Sequence, residues 1–65
     1  MNKLSLEKVF DLLGQSEISG SEKELAKLSI RIQELIDANG EDWVKDNSQM
    51  LLDEWDYIVR HGLIT

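Results

Sequence analysis

Four glycines and no proline divide this chain of 65 residues into three stretches, and each stretch repeats its apolar residues with the period of an α-helix. Gly14 closes the first, Gly20 opens the second, Gly40 separates the second from the third, and Gly62 ends the third. None of the three shows the sustained apolar–polar alternation of a half-buried strand. A chain punctuated in this way is directed toward an all-α fold.

The first stretch, LSLEKVFDLLG, offers Ser5 as an N-cap, with Leu4 and Val9 placed to form a hydrophobic staple around it. Leu6, Val9, Phe10 and Leu13 then share a face, and Leu12 points away from it. The second, SEKELAKLSIRIQELIDANG, matches the capping box with Ser21 and Glu24, and Ser19 with Glu22 is a competing match. Its seam is Leu25, Leu28, Ile32, Leu35 and Ile36, and Ile30 lies well off that seam. The third runs from Glu41 to His61, with Leu63 placed to fold back onto the last turn. Within it KDNS, Lys45 to Ser48, is weak helix, and Asp46 with Gln49 offers the caps of a new start. Isolated helices of these lengths do not persist in water, so the seams must cover one another. The expectation is a compact three-helix bundle, or four helices if the last stretch breaks near residues 45–48, in a single domain spanning 1–65.

Such a short chain sits near the size at which one core just sustains folding. With no cysteine it forms no disulfide and no cysteine-based zinc site, so its apolar residues, helix caps or a second copy must stabilise it. Apolar runs stop at three residues (MLL, YIV), which predicts no membrane span and leaves a soluble cytoplasmic protein as the default. The net charge of −6 is concentrated toward the end of the chain. Phosphate backbones and anionic lipid surfaces recruit clustered Lys and Arg, so a chain this acidic is a poor candidate for either.

Wound as one helix, the third stretch gathers Val44, Leu51, Trp55 and Ile58 tightly. Leu52 and Val59 widen the apolar arc on one flank, and Trp43, Met50 and Tyr57 widen it on the other. Lys45, Asp46, Gln49, Asp53, Asp56 and Arg60 occupy the narrow polar sector. An arc this broad is explained by a central helix with two neighbours. The other account is a helix with one flank inside the fold and the other against another chain. Trp and Tyr are enriched at the energetic centres of interfaces, which favours the second account, a homodimer included.

Catalytic chemistry finds little foothold. His61, the one histidine, stands at a helix C-terminus, where a cation-capable side chain interacts favourably with the helix dipole. No serine has an evident base, and so small a bundle has little room for a deep pocket, so no enzyme activity and no cofactor are expected. DANGEDWVKDNS lacks the glycine at its sixth position and the glutamate at its twelfth that an EF-hand loop requires, and no metal is expected. VRHGLIT resembles the end of the recognition helix of winged-helix regulators, which would imply DNA binding by a helix-turn-helix. That helix would present Asp46, Asp53 and Asp56, whereas groove readers present Arg, Lys, Asn and Gln.

By elimination, the sequence suggests a small acidic protein that works by contacting another protein, as a subunit, adaptor or inhibitor. The candidate contact residues are Trp43, Met50, Tyr57 and Ile30, with Asp46 and Asp53 on the rim. The alternative is an acidic face that imitates nucleic-acid phosphate and occupies the basic cleft of a DNA- or RNA-binding protein.

Overall fold

The structure, a computed structural model, describes residues 4–63. They form four helices: α1 Leu6–Leu12, α2 Glu22–Asn39, α3 Glu41–Asp46 and α4 Ser48–Arg60. The fold is therefore all-α, and the last stretch does break inside KDNS, at Asn47.

Local chemistry explains each boundary. Ser5 caps α1 by accepting from the Lys8 N–H at 3.2 Å. At the other end, the Gly14 N–H reaches the Asp11 carbonyl and the Gln15 N–H reaches back to Phe10, the paired bonds of a Schellman stop. The capping box of α2 belongs to Ser21 and Glu24 rather than to Ser19 and Glu22. Ser21 Oγ accepts from the Glu24 N–H, and Glu24 Oε1 accepts from the Ser21 N–H at 2.8 Å. That reciprocal exchange satisfies two backbone donors that the first turn of a helix otherwise leaves without partners.

Gly40 is at once the C-cap of α2 and the N-cap of α3. Its φ of 91° and ψ of 161° fall in a region open essentially to glycine alone, which lets two helices meet across one residue. The break at Asn47 has a different origin. Its backbone N–H and its side-chain Nδ2 both donate to the Trp43 carbonyl, at 3.0 and 2.8 Å, so this turn is closed by a side chain competing for the helix's own acceptor. The expected capping of α4 by Asp46 and Gln49 does not occur. Asn47 holds the N-cap position without a side-chain cap bond, and Gln49 instead donates to Asp53.

One core joins all four helices: Val9, Leu12 and Leu13 from the α1 end, Leu28 and Ile32 from α2, Val44 from α3, and Leu51 and Trp55 from α4. Leu12 was expected to point away from its seam, yet it is 2% exposed. Its helix packs against both α2 and α3, so the covered side of α1 is wider than one seam. Val44 is fully buried, which makes the short α3 an inner element. Burial of side chains of this size contributes roughly 1.5–3 kcal/mol each.

Two polar groups are drawn into this packing and both are satisfied. Ser29 is 2% exposed, and its hydroxyl donates to the Leu4 carbonyl at 2.6 Å. The Trp55 indole N–H donates to the Ser19 carbonyl at 3.2 Å, tying α4 to the loop between α1 and α2. Among the described residues no helix is long and apolar enough to cross a membrane.

Candidate protein-contact surface

The break at Asn47 divides the apolar arc between two helices. Trp43 belongs to α3, where it is half-buried against the core. It does not continue the flank of α4, because that continuation assumed one uninterrupted helix. Met50 and Tyr57 do remain together: they lie seven positions apart on α4, two turns along one face, and are 50% and 56% exposed. The Tyr57 ring packs on the His61 ring with centroids 4.2 Å apart, which extends the stripe to the end of the helix.

The other flank of α4 is covered, since Leu52 and Val59 pack against the core as half-buried residues. Asp53 is exposed beyond Tyr57 and accepts from Gln49 Nε2 at 3.1 Å. Asp46 is exposed at the end of α3. Ile30 is also exposed, at 56%, but it stands on the back of α2, nearly opposite Leu28 and Ile32 on the helical wheel. It therefore does not join the Met50–Tyr57 stripe.

The structure adds a feature that the periodicity of single helices did not disclose. A groove of about 220 Å³ runs between α2 and α4. Its floor is Leu28, Ile32, Leu51, Trp55 and Ile58, and Leu63 closes one end. Leu63 reaches that place through a second Schellman stop. The Gly62 N–H bonds to the Val59 carbonyl and the Leu63 N–H to the Ile58 carbonyl at 3.1 Å, and this folds the chain back as expected. Even so, Leu63 stays 57% exposed. Lys27 and Arg31 stand on the α2 wall and Glu54 on the α4 wall, with Arg31 and Glu54 paired across the groove at 3.0 Å. Three of the four large apolar side chains that are most exposed (Met50, Tyr57 and Leu63) thus lie on α4 or directly after it.

The arrangement has the makings of a contact surface: an apolar cleft beside an apolar stripe, crossed and edged by charges. Ser5, Ser21 and Ser29 are engaged in caps or buried packing, and His61 is held against Tyr57. Among the described residues no three of His, Cys, Asp and Glu gather closely enough to hold a metal ion. Ile64 and Thr65, the last residues of VRHGLIT, lie outside the described residues. Comparison with protein families, with curated proteins and with solved structures finds no match.

Proposed function

We propose that this chain is a non-catalytic protein-contact module, acting as a subunit, adaptor or inhibitor, and that it binds through the outer flank of α4. The observation that carries this reading is the Met50–Tyr57 pair, two large side chains half-exposed on one face beside an apolar groove. Exposed apolar side chains gathered on one helix face and rimmed by polar groups are a usual mark of an interaction site. Tyr57 and Met50 supply contact area, and Asp53 and Asp46 steer the encounter and discourage acidic partners. A cytoplasmic setting belongs to the same proposal, because a fold without cysteine has no need of an oxidising compartment.

The test is capture from native extract with the wild-type chain and with Met50→Ser/Tyr57→Ser, each eluted with a salt gradient. An apolar contact predicts that capture is lost in the double variant and withstands about 0.5 M salt, where the screening length has fallen to a few ångströms. Capture that survives the double variant and disappears with salt would replace this reading with phosphate mimicry by the acidic face.

A further inference from the structure

Resting on that contact reading, we infer that the partner seated on the α2–α4 groove is a second copy of this chain, related by a two-fold axis running along the groove. The argument starts from the distribution of charge. In a chain of net charge −6, Lys23, Lys27 and Arg31 recur every four residues and so form one row along α2. Two of the three, Lys27 and Arg31, stand on the α2 wall of the groove, whereas the α4 wall carries Glu54. The groove therefore has a basic edge, an acidic edge and an apolar floor between them.

A surface with that polarity is complementary to itself. In a two-fold dimer the same patch serves both copies, so every contact occurs twice. With the axis along the groove, the α2 wall of each copy lies over the α4 wall of the other, and Lys27 and Arg31 meet Glu54. With the axis across the groove, the cations would meet cations and Glu54 would meet Glu54. Charge thus selects one of the two arrangements. Arg31 and Glu54 retain 53% and 44% side-chain exposure in their pair, so both remain within reach of a second copy. The same arrangement covers Leu63 and the half-buried Ile58, and it sets Met50 and Tyr57 beside the aliphatic stems and charges of the opposing α2, where an aromatic face attracts a cation.

The size of the molecule limits the strength of this dimer. A body of 28 × 25 × 22 Å offers one such face near the lower bound for specific association, about 1,000 Å² in total. The affinity expected is micromolar, with dimers dominant at ~100 µM and monomers at ~1 µM.

Sedimentation equilibrium over that range tests the inference, together with two variants checked for helicity by circular dichroism. Glu54→Lys makes both edges basic, and Lys27→Glu/Arg31→Glu makes both acidic. Each variant alone should associate at least 10-fold more weakly than the wild type. An equimolar mixture should recover dimers, because every basic edge then meets an acidic one. A wild-type chain that stays monomeric at ~100 µM, or variants that fail to complement each other when mixed, would overturn the second copy as occupant. If capture from extract still depended on Met50 and Tyr57, the contact reading would stand without the dimer. Loss of both dependencies would remove the contact reading itself.

Discussion

Trp55 and Ser19 are 36 positions apart in the chain and joined by one hydrogen bond, from the indole N–H to the Ser19 carbonyl at 3.2 Å. Trp55 is also among the largest side chains of the core, at 8% exposure. It therefore connects the start of the fold to its end both by packing and by a polar contact. Trp55→Phe keeps most of the packing and leaves the part-buried carbonyl without this donor, which should cost about 1–2 kcal/mol. Trp55→Ala should cost about 3–5 kcal/mol. Urea denaturation followed by the fluorescence of the remaining Trp43 measures both.

Gly40→Ala should destabilise the chain by about 1–3 kcal/mol, although an added Cβ would meet no atom within 4 Å. The penalty comes from the backbone, not from a clash. Asn should not rescue position 40, because a φ of 91° with a ψ of 161° lies outside the left-handed helical region that Asn tolerates. At Gly62, with φ 62° in a Schellman stop, Asn should recover part of the stability lost in the Ala variant. Thermal unfolding separates the two cases, at about 4–8 °C per kcal/mol for a domain of this size.

Ser21→Ala should cost about 1 kcal/mol through loss of the cap on the first turn of α2. Glu24→Ala should cost a comparable amount, and the double variant less than their sum, since each side chain serves the other's backbone N–H. A double-mutant cycle in urea gives the coupling directly.

Met50→Ser and Tyr57→Ser should each leave folding stability within about 0.5 kcal/mol of the wild type, as expected for half-exposed side chains outside the core. Binding losses in these variants could then be assigned to the surface itself. A urea midpoint shift equivalent to more than ~1 kcal/mol would show instead that these side chains support the fold.

Much of this architecture is readable from residue patterns alone, because its helix ends are made of local chemistry. Ser5, the Ser21–Glu24 exchange, Gly40 and the Gly62–Leu63 stop act within a few residues, and such signals are visible in a linear string. The weakness of KDNS was visible for the same reason. What depends on three dimensions was not. Leu12 is buried because α1 has neighbours on two sides, and no helical wheel of α1 alone contains that fact. Winding residues 41–61 as one helix placed Trp43 beside Met50, whereas the Asn47 contact with the Trp43 carbonyl interrupts the turn between them. The groove between α2 and α4 arises from two elements with separate patterns, so neither pattern predicts it.

The single residue between α3 and α4 fixes the rotational phase of the last helix. Each residue of helix turns whatever follows it by about 100°. One residue added to or removed from Glu41–Asp46 would therefore swing Trp55 away from Ser19 and present a different set of side chains to solvent. Lys45 is exposed and can change identity with little consequence for the fold, but the number of residues in that turn and a half cannot change. In this stretch length, more than composition, holds the information that aims the outer face of the molecule.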